Sequence, residues 1–200
     1  MFLQTSLQRA SLVFLPVLLA GCIFDEIESN AYEIVFQSDG TVQFANSVVG
    51  SAAYELQEMD QAERDDFAAY FIDELREGMD DLFEGQVDDA SADFSDLSRI
   101  SVDVAGVFPR FPTQDLDDMS RAFVVHPSVG PPDMWAVVMH HNSARDWPVN
   151  VCITLAPEWT VVEQGRVFPQ VASGERTCAD WTEIQINPVD AVAVQYTEPG

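Results

Sequence analysis

Alternating apolar and polar side chains predict a β-hairpin near the start of the chain. The two types alternate over residues 32–37 and again over 41–46, with Ser38-Asp39-Gly40 between the two runs. Alternation indicates strands with one buried face, and Asp-Gly is typical of a hairpin turn.

The length of this turn follows from which side chains must share a face. A two-residue loop would scatter the apolar side chains over both faces of the hairpin. A three-residue loop pairs Phe36 with Val42 and Ile34 with Phe44, which places all of them on one face. Because one face must be buried, we predict the three-residue loop, with Gly40 at a positive φ.

The pattern then changes to helical spacing. Asp60, followed three residues later by Glu63, is typical of a helix start. Apolar side chains recur after it at Phe67, Phe71, Ile72, Leu75, Met79, Leu82 and Phe83. We therefore predict a long amphipathic helix whose apolar face packs on a sheet; a ligand or partner groove is the alternative use of this face.

The rest of the chain predicts strands. Residues 84–98 are acidic and small, do not match the spacing of an EF-hand loop, and are expected to form a solvated loop. Period-two patterns follow at 99–108, 121–126, 134–140, 149–155, 159–163, 182–186 and 191–196. This order predicts a single α+β domain over residues 32–200, with a mainly antiparallel sheet and one long amphipathic helix packed on it.

The charge narrows the range of partners. The chain holds 34 Asp and Glu against 9 Arg, and Lys is absent. Nucleic-acid binding depends on Lys and Arg at phosphates, so this balance argues against it. An anionic lipid surface would also repel the domain, and acidity of this degree is typical of solubility or a salty habitat.

Residues 1–22 have the features of an export signal. Arg9 precedes a short apolar segment that is about half of the ~20 residues needed to span a bilayer. The segment ends in Leu19-Ala20-Gly21-Cys22, which resembles the lipobox of bacterial lipoproteins: an aliphatic residue, two small residues and a Cys. An ordinary signal peptide with an incidental Cys is the alternative interpretation.

The resemblance to lipoproteins implies cleavage before Cys22 and acylation of that residue. Residues 1–21 are then the signal peptide, and 22–31 a lipid anchor and spacer. Loss of Arg9 changes the formal charge from −25 to −26. Ile23 stands where an Asp would signal retention at the inner membrane, which implies the outer membrane, facing the periplasm. A lipidated Cys ahead of an Asp-Gly hairpin, a helix and strands is also similar to LppM-like envelope lipoproteins.

The remaining cysteines and the histidines are the other candidate site residues. If Cys22 carries lipid, Cys152 and Cys178 are an even pair in an oxidising compartment and predict a disulfide. A zinc pair or a catalytic thiol is the alternative, but no His or further Cys lies nearby in sequence. His126 could meet His140 or the adjacent His141 at a metal.

Such a metal site would take an oxygen ligand from Asp133 or Asp146. A solvated histidine at a strand end is the preferred interpretation. The sequence has no G-x-S-x-G elbow, phosphate loop or dinucleotide motif. We therefore predict a non-enzymatic envelope lipoprotein, without a cofactor, that holds its domain at a membrane for an unknown envelope protein partner.

Two alternatives stay open. The first is an apolar-ligand carrier, which needs a cavity between helix and sheet lined by Phe36, Phe67 or Phe71. The second is a metal-dependent enzyme that uses His126 and His140.

Overall fold

The computed structural model describes residues 23–83, 87–108, 124–127, 134–139, 149–165, 168–180 and 190–199. Its elements are β1 (Phe24–Phe36), β2 (Val42–Ala52), α1 (Tyr54–Glu58), α2 (Gln61–Phe83), β3 (Val87–Asp93), β4 (Ile100–Phe108), β5 (Val124–Pro127), β6 (Met134–Met139), β7 (Val149–Leu155), β8 (Trp159–Glu163), β9 (Arg176–Asp180) and β10 (Asp190–Tyr196). No helix in these ranges is long and apolar enough to cross a bilayer.

The strands form two sheets where the sequence predicted one. The first has the order β3-β4-β2-β1-β7-β9 and the second β5-β6-β10-β8. All of these pairs are antiparallel except β1 with β7. The predicted α+β class with mainly antiparallel pairing is confirmed. The division into two sheets was missed because period-two patterns mark strands without showing which strands pair.

The predicted hairpin is confirmed in register and turn. Phe36 pairs with Val42 and Ile34 with Phe44, and Gly40 closes the turn at φ 90°. The Asp39 carboxylate accepts hydrogen bonds from the Thr41 hydroxyl at 2.7 Å and the Thr41 amide at 2.9 Å. These bonds lower the pKa of Asp39, since they favour its charged form.

Helix α2 begins at the predicted place. The Asp60 carboxylate accepts a hydrogen bond from the Glu63 amide at 3.0 Å, and the Glu63 carboxylate accepts one from the Asp60 amide at 2.9 Å. This reciprocal arrangement is a capping box, which satisfies two otherwise unpaired helix N–H groups. Farther along the helix, Phe71 and Leu75 are buried, and the Phe71 ring contacts Phe94 with centroids 6.1 Å apart.

The predicted spacer at residues 22–31 is wrong over its described part. Residues from Phe24 onward belong to β1. Ile23 is 2% exposed and Phe24 6% exposed, and the Ile23 carbonyl accepts a hydrogen bond from the Ala53 amide at 2.7 Å. The strand was missed because bulges between Phe24 and Glu26 and between Ile27 and Ser29 interrupt its alternation.

The predicted solvated loop at residues 84–98 is also wrong in part. Residues 87–93 form β3, an edge strand paired with β4. Ala90 is its buried residue, while the side chains of Asp88, Asp89 and Asp93 are exposed. An edge strand needs little apolar surface, and its charges discourage pairing with another chain. The acidic composition therefore predicted a loop where the chain forms a strand.

Two aromatic side chains join the second sheet to the hairpin. Trp159 donates from its indole nitrogen to the Gln37 carbonyl at 2.7 Å, and the Tyr196 hydroxyl donates to the Ser38 carbonyl at 2.9 Å. The Trp159 ring also lies 4.9 Å from that of Phe36, centroid to centroid. These contacts bury apolar rings while their polar atoms keep partners.

Truncation of Phe24 tests whether the chain is already part of the core at this position. We expect Phe24→Ala to lower the free energy of unfolding by about 3–5 kcal/mol, because it leaves a cavity. Its exposed neighbour provides the matched control: Asp25→Ala should change stability by less than ~0.5 kcal/mol. Chemical denaturation measures both. Equal, small effects would show that this segment is a spacer after all.

Candidate functional site

The predicted disulfide is present. Cys152 in β7 lies directly opposite Cys178 in β9, with an S–S distance of 2.10 Å. Cys152 is buried, whereas Cys178 on the edge strand is exposed. Cys22, the predicted lipid acceptor, lies outside the described residues, so its acylation stays a prediction.

The predicted histidine site can be described only at one of its positions. His126 lies in β5, opposite Ala136 of β6, so the two strands pair at this position. His140, His141, Asp133 and Asp146 lie outside the described residues. Within the part of the chain that the structure describes, no group of three or more His, Cys, Asp or Glu side chains could hold a metal ion.

The interface between α2 and the first sheet encloses one small cavity. Its volume is about 10 Å³, and its lining includes Phe71, Leu75, Phe24 and Asn46. That is the size of a single water molecule, far below the roughly 300–1,000 Å³ of small-molecule sites. This cavity is therefore too small for the apolar ligand that the carrier alternative requires.

A buried polar cluster lies beside this cavity. Asn46 donates from its side-chain nitrogen to the Asn30 side-chain oxygen at 2.8 Å and to the Ala31 carbonyl at 3.1 Å. Asn30 in turn donates to the Tyr32 hydroxyl at 3.5 Å, and burial raises the pKa of Tyr32. Because these groups satisfy one another, the cluster is structural and fixes the register of β1 against β2.

A shallow groove of about 250 Å³ lies on the other face of the first sheet. We call it the outer groove. Small side chains from three central strands make its floor: Ala31, Ala45, Ser47 and Ala105. Its walls hold Asp89 and Asp103 on the β3–β4 side, and Asn150 and Arg176 on the β7–β9 side, with Glu33 between. The register places these residues on one face of the sheet.

Edge strand β9 is held to the groove by three kinds of contact. Arg176 donates from Nε to Glu33 Oε1 at 3.0 Å and from Nη2 to Glu33 Oε2 at 2.8 Å. This pairing raises the pKa of Arg176, first through the hydrogen bonds and then through the opposite charge. Asn150 donates to the Asp180 carboxylate at 2.7 Å. The disulfide is the covalent contact on the same face.

The lining residues of the outer groove include Ser47 but no histidine that could act as its general base. Glu33 is neutralised by Arg176, which leaves Asp89 and Asp103 as the net charge of the walls. Opposite charges attract, so these two carboxylates favour positively charged groups at this surface.

Sequence reasoning did not find this groove. The alternation of the sequence predicts the small residues on the hairpin's polar face. It does not predict the walls, because the acidic composition around Asp89 indicates a loop where β3 lies, and because the parallel pairing of β7 with β1 has no local signal. Comparison with known proteins found no matching family model and no matching curated sequence.

Removal of the disulfide tests its contribution to stability. We expect the double variant Cys152→Ser, Cys178→Ser to lose about 3 kcal/mol of unfolding free energy, because the bond restricts the unfolded chain. Denaturation with and without dithiothreitol gives the measurement. The reductant should destabilise the native protein by a similar amount and leave the double variant unchanged. A native protein that is indifferent to reductant would contradict the assignment.

Proposed function

We propose that this chain is a lipid-anchored protein of the bacterial cell envelope whose domain binds, or assembles with, an envelope protein without catalysing a reaction. One observation carries the proposal. Leu19-Ala20-Gly21-Cys22 resembles a lipobox, and the residue that follows it, Ile23, is buried in the domain.

The disulfide supports an exported protein. Such bonds persist in oxidising compartments and are rare in the cytosol. The Cys152–Cys178 bond ties an edge strand to its neighbour, so the fold gains from the same environment that lipidation implies. On this proposal the protein lies at the outer membrane, facing the periplasm.

The charge explains why a tether is needed. Without its signal peptide the chain carries a formal charge of −26, because Arg9 is lost from a chain of −25. An anionic membrane repels such a domain. Each buried CH₂ group of an acyl chain contributes about 0.8 kcal/mol, so several acyl chains hold a protein firmly.

The domain of this proposal has one long amphipathic helix packed on its sheet. Helix α2 supports this description, since Phe71 and Leu75 are buried while Asp73 and Glu74 on the other side are exposed. With that helix covering one face of the first sheet, the outer groove on the opposite face is the surface we assign to the partner. Its carboxylates Asp89 and Asp103 favour a partner surface with Lys or Arg.

Loss of the lipid acceptor tests the anchor. We expect Cys22→Ser to abolish palmitate labelling and to move the protein from the membrane fraction to the soluble fraction. An uncleaved signal could itself hold that variant, so a second variant joins Ile23 to an ordinary cleavable export signal. Fractionation of cells and labelling with palmitate are the measurements. Persistent membrane association of the second variant would contradict the proposal.

Site-specific crosslinking tests the partner surface. A photo-crosslinking residue at Ser47, on the groove floor, should give a discrete adduct in intact cells. The same residue at Tyr70, which is exposed on α2, should not. Gel mobility and mass spectrometry identify the adducts. Equal adducts from both positions, or none from Ser47, would count against the groove as the binding surface.

A further inference from the structure

The position where the anchor leaves the domain fixes which end of the domain meets the lipid. We propose that the domain rests on the membrane through the end that holds residue 23, without a spacer, and that the β1–β2 turn points away from the lipid surface. This inference rests on the proposed acylation of Cys22 and adds the orientation of the domain.

No flexible linker separates Cys22 from the folded domain, because the first described residues already make core contacts. Ile23 is 2% exposed and its carbonyl is hydrogen-bonded to the Ala53 amide at 2.7 Å. Phe24 already pairs with Ala52 of β2. Consecutive Cα atoms are about 3.8 Å apart, so the acylated residue is one peptide unit from the packed core. A lipidated Cys22 therefore holds the domain at the bilayer surface.

The structure also shows which residues surround this exit point. The Ala52 amide donates to the Leu97 carbonyl at 2.9 Å, which brings the β3–β4 connection to the same end. Tyr54 follows Ala53 directly and is 66% exposed. Tyrosine suits a membrane interface because it combines an apolar ring with a polar tip. We call this region, Ile23, Ala53, Tyr54, Leu97 and Arg99, the proximal end.

The charges of the proximal end oppose close adhesion to anionic lipid. Arg99 is paired with Glu28 at 3.3 Å. Exposed carboxylates lie nearby in the chain, at Asp25, Glu26, Glu55, Glu58 and Asp96. Lipid contact at this end therefore comes from the acyl anchor, and the surface it fits is zwitterionic rather than strongly anionic.

On anionic lipid, electrostatic repulsion would add to the effect of the short tether. Strand β1 has 13 residues, which at ~3.3 Å per residue gives a length of roughly 40 Å from the proximal end to the turn. A domain lying on its side would bring acidic surfaces such as α2 within the Debye length of ~8 Å from lipid phosphates. On anionic lipid this repulsion is therefore weaker when β1 points away from the membrane.

The test measures the distance from the bilayer at the proximal end and at the β1–β2 turn. The full chain is expressed in a bacterial host that acylates it, with Glu55→Cys or Ser38→Cys as the dye position; both side chains are exposed. The labelled protein is reconstituted into phosphatidylcholine vesicles that carry an acceptor dye on their headgroups. We expect energy transfer to place position 38 at least ~20 Å farther from the headgroups than position 55, half the length of β1.

A spacer variant is the matched control. Ten Gly and Ser residues inserted between Cys22 and Ile23 form a flexible linker with an end-to-end distance of ~18 Å. We expect this insertion to reduce the difference between the two positions by more than half, while membrane attachment is retained. Equal distances in the native chain, or a shorter distance at position 38, would overturn the orientation.

Mass spectrometry of the same vesicles distinguishes a failure of the proposed orientation from a failure of the proposed lipid anchor. Acylated Cys22 combined with equal distances refutes the orientation and leaves the lipid anchor intact. A chain without lipid on Cys22 refutes both. Addition of phosphatidylglycerol should lengthen the distance at position 38 at low salt, and this increase should disappear at high salt because the repulsion is screened.

Discussion

Strand β1 contributes to the core, to the outer groove and to the end of the domain where the proposed anchor leaves. It is an inner strand of the six-stranded sheet, antiparallel to β2 and parallel to β7. Its inward side chains are buried, those of Ile34 and Phe36 completely, and its outward side chains include Ala31 and Glu33 in the outer groove. The start of the same strand determines where a lipid anchor would leave the domain. Core, groove and tether are therefore properties of one segment.

The outer groove shows how a weakly held edge is stabilised. Edge strand β9 pairs with β7 alone in the described structure, and the exposed Arg176–Glu33 ion pair contributes little by itself in water. The disulfide supplies the covalent restraint on the same face. A wall fixed in this way limits the entropy that the protein loses when a partner binds. An oxidising environment thus supports the shape of the surface as well as its stability.

The sequence predicted those elements that are determined by interactions between residues close together in the chain. The hairpin register followed from the need to bury Ile34 and Phe36 together, and the start of α2 followed from the reciprocal hydrogen bonds that Asp60 and Glu63 can make. The start of β1 was misread because bulges break its alternation, and β3 because an edge strand tolerates acidic residues. The parallel pairing of β1 with β7, and with it the groove, depends on packing between segments far apart in sequence.

On the proposed anchoring, the mature protein begins with a lipidated Cys22 joined directly to a folded domain. The most direct measurement is the mass of the N-terminal peptide of the native protein isolated from membranes. The account predicts a peptide that starts at Cys22 and carries a diacylglycerol on its sulfur. A peptide that starts elsewhere, or an unmodified Cys22, would contradict it.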